Sequence, residues 1–256
     1  YEIRLSLVGS EMCIRDRKIP AKNRLADFPH YLMHRAEQLD NLYIFKNTEG
    51  TPENIRKFHP NIIVSSTGSA PLLPPIAGLK DRIDNENHNI YSILGMISHI
   101  NDFPKDLEGK KVVVVGGGAV GLDVVEFFAD RNADISIVEM MDQIGRDLDP
   151  VSKNDTKTMM KKHNVHQLTK TALLEVKDSS FLVKGDGEPY ELPFEYGFVC
   201  LGMRAQGQLY QNLTEEFSSE DVEIMNIGDS QRARRIIDGT QEGRNILTVL
   251  EQKGYL

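Results

Sequence analysis

Val112-Val113-Val114-Val115-Gly116-Gly117-Gly118-Ala119-Val120-Gly121 is the stretch that decides the fold. The valine run reads as a buried strand, and it delivers the chain into glycines spaced G-x-G-x-x-G. Each glycine answers a separate steric demand. Gly116 permits the tight turn out of the strand, Gly118 lets a pyrophosphate approach bare backbone, and Gly121 lets the following helix pack close to the sheet. That helix carries Val120, Val124, Phe127 and Phe128 on one face, and a strand over Ile135 to Val138 follows it, ending at Glu139. The result is a βαβ unit whose helix N-terminus offers unpaired N–H groups and a positive dipole end to phosphate. Glu139 lies eighteen residues beyond Gly121, where a carboxylate accepts hydrogen bonds from adenosine ribose hydroxyls. A 2′-phosphate would be repelled there, so NAD is preferred to NADP, although Arg146 is close enough in sequence to leave the alternative open.

Working outward, Lys18 to Asn41 reads as a loop and then a helix with Phe28, Tyr31, Leu32, Ala36 and Leu39 at helical spacing. Leu42 to Phe45 and Ile62 to Val64 read as short strands. The second runs into Ser65-Ser66-Thr67-Gly68-Ser69-Ala70-Pro71, a turn out of the sheet. Asp81 to Pro104 is polar with weak periodicity, which suits a crossing between lobes. A helix is expected over Asp149 to His163, then a meander of strands at Ala172 to Val176, Ser180 to Val183, Glu188 to Leu192 and Tyr196 to Leu201. Val222 to Ile227 reads as a strand closing on Gly228-Asp229. A last helix spans about Arg235 to Gln252 with Ile236, Ile246, Val249 and Leu250 inward.

Composition sets the outer bounds. The 256 residues are 40 % hydrophobic, enough for one large domain or two ordinary ones. With 30 basic against 38 acidic side chains the net charge is -8, and the densest basic cluster is Arg232, Arg234 and Arg235, so nucleic acid is not an expected partner. The uncharged stretch Val112 to Leu122 is too short to span a bilayer, and a soluble, cytoplasmic chain is expected. Two cysteines, Cys13 and Cys200, exclude a disulfide framework, a CxxC pair and an iron-sulfur site made by this chain alone. Cys200 reads as a small core residue. His163 and His166 read as a solvated pair, and no metal site is expected. Leu5 to Arg17 resembles translated sequencing adaptor, so residues 1–17 are set aside from fold reasoning.

Taken together, these segments resemble the two-dinucleotide-binding-domain flavoproteins, and more closely the C-terminal half of the NADH:flavin oxidoreductases of the old yellow enzyme class. That class includes the 2,4-dienoyl-CoA reductase, enoate reductase and bile-acid-pathway enzymes. The resemblance covers about Lys18 to Leu256. Ser66-Thr67-Gly68-Ser69-Ala70-Pro71 is similar to the A-T-G-x-x-P exit from the FAD domain, and Cys200-Leu201-Gly202-Met203 to the A-x-G exit from the NAD domain. Ile227-Gly228-Asp229-Ser230 is similar to the G-D segment that touches FAD.

The resemblance implies an α/β fold of two Rossmann-like domains, the FAD domain incomplete. Residues 18–78 would be the remnant of the FAD-binding domain, 79–108 the inter-domain crossing, 109–205 the NAD-binding domain and 206–256 the return into the FAD-binding domain. It implies NAD(H) held by Gly116, Gly118, Gly121, Glu139 and Gly202, and FAD contacted by Thr67, Gly68, Gly228 and Asp229. Asp229 would bond the ribitol, and the last helix would point its N-terminus at the flavin. It further implies hydride transfer from NADH to FAD with no acid or base side chain of this chain taking part. In an intact protein, electrons would pass through a 4Fe-4S cluster to FMN in an N-terminal barrel, which would reduce an activated C=C bond of an enoate or enoyl-CoA.

The family's first glycine loop, the barrel and the cluster cysteines would all precede Lys18. Asp123 stands where many relatives have Glu. A non-catalytic dinucleotide-binding module and a ferredoxin- or disulfide-type reductase remain the alternatives. The unpaired sheet edge of such a fragment favours homo-oligomers.

Overall fold

A computed structural model describes Arg24 and residues 27–255. The adaptor-like segment 1–17, Cys13 and the start of the Lys18 segment lie outside the described residues. The chain begins with helices α1 (Asp27–Glu37) and α2 (Pro52–Arg56), strands β1 (Ile62–Ser65) and β2 (Ser69–Pro71), helix α3 (Leu79–Arg82), strand β3 (Ile90–Tyr91) and helix α4 (Ile93–Ser98). Strand β4 (Lys111–Val115), helix α5 (Ala119–Ala129), strand β5 (Asp134–Val138), helix α6 (Pro150–Lys162) and strand β6 (His166–Leu168) follow. Next come strands β7 (Ala172–Val176), β8 (Ser180–Lys184), β9 (Tyr190–Pro193), β10 (Tyr196–Val199) and β11 (Met203–Ala205). Helix α7 (Gln208–Glu216), strand β12 (Glu223–Asn226), a 3-10 turn (Gly228–Ser230) and helix α8 (Ile236–Gln252) complete an α/β protein. Two compact units result, one made of the chain up to Ala70 together with Met203 onward, the other of Pro71–Gly202.

The Pro71–Gly202 unit is built on a parallel five-stranded sheet, β3-β10-β4-β5-β6. Val112 to Val115 are all buried because this strand is covered on both faces, as an inner parallel strand must be. Side chains alternate across it. Val113 and Val115 join Val176, Phe181 and Val183 from the antiparallel β7-β8-β9 sheet, whereas Val114 lies under α5. The segment whose polarity suggests a crossing supplies buried Ile83, Ile90, Met96, Ile97, Ile100 and Phe103 to this unit. Polar Asp84 to Asn89 dilute its periodicity, yet the Phe103 ring packs edge-on against Phe128 at 5.2 Å.

Two strand expectations need correction. Tyr196 to Leu201 does not extend the meander: β10 runs parallel between β3 and β4, because Gly197, Phe198 and Val199 are buried on both sides. Leu42 to Phe45 forms only a single bridge residue at Tyr43, and Tyr43 and Phe45 are exposed. Strand β6 carries no sequence signal, since His166 and Gln167 on this sheet edge face solvent.

In the other unit, β1 and β12 pair in parallel from Ile62↔Glu223 to Ser65↔Asn226. Ile63, Leu213 and Phe217 form the core beneath them. Helix α7, unannounced by its polar sequence, is tied down by Arg56. That guanidinium lies 4.7 Å over the Phe217 ring and bonds Glu216 at 2.7 Å and also Glu220. Along α8, Leu250 is buried and Ile246 and Val249 half-buried, but Ile236 is exposed in the first turn rather than inward. In α1 only Ala36 of the expected apolar stripe is buried. No helix among the described residues is long and apolar enough to cross a membrane.

Candidate functional site

The glycine loop divides into closed and open positions. Gly116 leaves β4 at φ +107°, and a Cβ there would stand 2.1 Å from the Cys200 carbonyl oxygen. A Cβ on Gly121 would stand 1.9 Å from the Gly116 carbonyl oxygen, so the first turn of α5 rests directly on the loop. Gly118 differs. It caps α5 in extended backbone, and nothing lies within 4 Å of the place a Cβ would take. The open space at the helix N-terminus is therefore at Gly118, where an anionic group can reach the N–H groups of the first turn.

Glu139 closes the other side. Its Oε2 accepts the Gly117 N–H at 2.6 Å and its Oε1 the Met141 N–H at 2.7 Å. Its own N–H donates to Leu168 O, and its carbonyl accepts from Thr171 N–H. Gly145 N–H donates to Gly117 O at 2.7 Å, so the segment after β5 and the glycine loop form one hydrogen-bonded assembly. The carboxylate is half-buried, and each oxygen retains a further lone pair for a ribose hydroxyl. Gly117 is a member of this site that motif reading passes over, because its role depends on a partner 22 positions away.

Arg146 is exposed and its carbonyl accepts from Lys153 Nζ. Nearby, Asp149 caps α6 through the Val151 and Ser152 N–H groups. The Ser152 hydroxyl, foremost, holds the Asp149 carboxyl below its ordinary range. Cys200 is buried, and loss of solvent pushes its thiol up to about 12, with Asp123 adding to the rise. Gly202 is exposed at φ +102° and its carbonyl accepts the Leu72 N–H.

In the unit containing β1 and β12, the remaining expected residues cluster around the 3-10 turn. The Thr67 hydroxyl donates to Gln206 O at 2.5 Å, and Gly68, at φ +77°, accepts the Gln206 N–H through its carbonyl. Asp229 Oδ2 accepts from Ser69 Oγ at 3.2 Å and Oδ1 from the Arg234 N–H at 3.1 Å. Gly228 is buried at φ +65°. Thus the Ser69 turn and the Gly228–Asp229 turn meet, although 160 positions separate the two bonded side chains. His166 Nε2 sits 3.4 Å from Asp134 Oδ1, and no group of three or more His, Cys, Asp or Glu side chains placed to hold a metal ion is found among the described residues.

With a dinucleotide-type loop on a parallel sheet and a second turn cluster in place, the class is defined. Residues 34–225 match the pyridine nucleotide-disulphide oxidoreductase family. The chain belongs to that family, whose members are FAD- and NAD(P)H-binding oxidoreductases. Among relatives, a metal reductase of Desulforamulus reducens is 27 % identical over 86 % of this chain and 36 % of its own length. A cinnamate reductase of Clostridium sporogenes is 21 % identical over 75 % of this chain and 27 % of its own. The fold is similar to that of 2-naphthoyl-CoA reductase, with a TM-score of 0.75 and 21 % identity over 94 % of this chain and 34 % of that one. The chain thus spans about a third of the length of such proteins.

Proposed function

We propose that this chain is the NADH-accepting reductase half of a larger NADH:flavin oxidoreductase of the old yellow enzyme class. The observation that carries the reading is the open approach at Gly118 beside the Glu139 carboxylate. It fits a pyrophosphate at the helix N-terminus and a ribose diol at Glu139, and it disfavours a 2′-phosphate. Bound NADH would supply hydride and bound FAD would accept it. The chain's own residues hold and orient: Gly116, Gly118, Gly121, Glu139 and Gly202 toward NAD(H), and Thr67, Gly68, Gly228 and Asp229 toward FAD.

In this reading residues 18–78 and 206–256 belong to the FAD-binding domain, 109–205 to the NAD-binding domain and 79–108 to the connection. The first FAD loop, an FMN barrel and a 4Fe-4S cluster belong to polypeptide outside these residues. Relatives named for cinnamate and 2-naphthoyl-CoA reduction support an enoate or acyl-CoA thioester as the final acceptor. A cytoplasmic location and self-association fit the same reading.

Calorimetric titration of the 256-residue chain with NADH and NADPH tests the coenzyme assignment. Tighter NADH binding is expected, and equal or reversed preference overturns it. Reading the gene upstream of Lys18 tests the rest: a barrel with four clustered cysteines is expected, and a start codon just before an FAD loop would favour a ferredoxin-type reductase.

A further inference from the structure

We infer that Glu242 is a positioning residue for the Asp229 carboxylate, acting through Arg234. Glu242 stands on α8, and its Oε2 accepts the N–H of buried Gly228 at 2.6 Å while its Oε1 accepts Arg234 Nη2 at 2.5 Å. Arg234 in turn gives its backbone N–H to Asp229 Oδ1 at 3.1 Å and its Nε to Arg232 O at 3.2 Å. One carboxylate on the last helix therefore fixes both ends of the turn from Gly228 to Arg234, with Asp229 between them.

Glu242 is linked to Asp229 through this turn, by way of Gly228 and Arg234. The Glu242–Arg234 pair is partly open to solvent, each side chain keeping 28 % of its exposure. Its bonds are charge-assisted, and the Glu242 contact raises the Arg234 pKa further. Without Glu242 the Gly228 N–H would lose its acceptor inside the protein, and Arg234 would be free to swing its own N–H off Asp229. A carboxylate meant to meet a ligand needs such support, since a small misplacement costs most of the contact. The ligand rests on the flavin reading of Asp229; the positioning itself does not.

Amide hydrogen exchange by NMR on the 256-residue chain tests the inference. Glu242→Ala should speed exchange at the Arg234 amide, whose acceptor is Asp229 rather than Glu242, by about tenfold or more, while the Leu213 core amide stays protected. Glu242→Gln, which keeps one carbonyl acceptor, should restore part of the protection. An Arg234 amide as protected in Glu242→Ala as in the parent overturns the inference. Should Leu213 also lose protection, Arg234→Met decides: it removes the guanidinium only, and unchanged protection at position 234 is again fatal. Equilibrium FAD titration separates the two ideas, because faster exchange with unaltered FAD affinity would keep the positioning and discard the flavin reading.

Discussion

The Gly117 N–H and the Glu139 carboxylate meet at 2.6 Å, so the acid that follows β5 shapes the glycine loop by itself. A ribose-binding residue alone would leave the loop unchanged when removed. Here Glu139→Ala removes the acceptor of both the Gly117 and Met141 N–H groups, and buried Gly117 is the one left unpaired, since Met141 is exposed to water. Bonds to a charged acceptor contribute roughly 1.5–3 kcal/mol each, so NADH affinity should fall by more than about tenfold. NADPH affinity should fall less, because the like charge facing a 2′-phosphate disappears with the side chain. Calorimetric titration of both coenzymes reads the narrowing gap; Glu139→Gln should lie between, since it keeps an acceptor for one of the two N–H groups.

The three motif glycines should fail in two different ways. Gly118→Val places its side chain in open space and keeps an extended backbone that a β-branched residue tolerates, so the fold survives and dinucleotide binding is lost. Gly121→Ala gains up to about 1 kcal/mol of helix propensity but drives a methyl to 1.9 Å from the Gly116 carbonyl. Overpacking of that kind costs roughly 1–3 kcal/mol or more, so the clash wins and the melting temperature drops. Thermal melts beside NADH titrations separate the cases. A Gly118→Val chain that binds NADH normally would make the loop purely structural.

The βαβ unit was legible because its signals are local: a β-branched run, three spaced glycines and a carboxylate at the next strand end all act within thirty residues of each other. What the sequence concealed depends on distance. Tyr196 to Val199 looks like one more hairpin strand until its neighbours, β3 and β4, are known to lie on both sides. Helix α7 is held by Arg56, far upstream, and its own polar surface announces nothing. The same holds in the site. Glycine spacing pointed to Gly118, whereas the partnerships of Gly117 with Glu139 and of Ser69 with Asp229 join residues with no local pattern between them.

Cys200 should be chemically silent in the folded chain. Burial pushes its thiol up from 9.0 to about 12, and thiolate is the reactive form. At about pH 8 the Cys200 peptide should resist alkylation natively and label readily in denaturant, as peptide mass spectrometry would show. The sign of the linkage follows. The raised value favours the protonated fold, so this contribution to stability is complete below the unfolded thiol's pKa. It is lost as pH rises from 9.0 toward about 12, where the unfolded thiol ionises and the folded one does not. Equal labelling rates in the two states would show that the site opens freely.

The 256-residue chain should hold FAD poorly even while it binds NADH. Among the described residues, β1 and β12 pair only with each other, and Val64 on β1 is 36 % exposed. Parallel strands are stable when both faces are covered, and a two-stranded sheet is marginal by itself. Thr67, Gly68, Gly228 and Asp229 would reach only the flavin end of the cofactor, in the reading given above. Its pyrophosphate would need a glycine loop and helix N-terminus like those at Gly118, and the sequence holds no second G-x-G-x-x-G to provide them. Desalting the purified chain after incubation with FAD, followed by absorbance of the bound flavin, should show well under one equivalent. In that reading, a longer chain that supplies the first FAD loop should show full yellow occupancy. Stoichiometric flavin on residues 18–256 alone would mean that the contacts around Asp229 suffice to anchor the cofactor, and the reading of this chain as part of a split FAD-binding domain would fall.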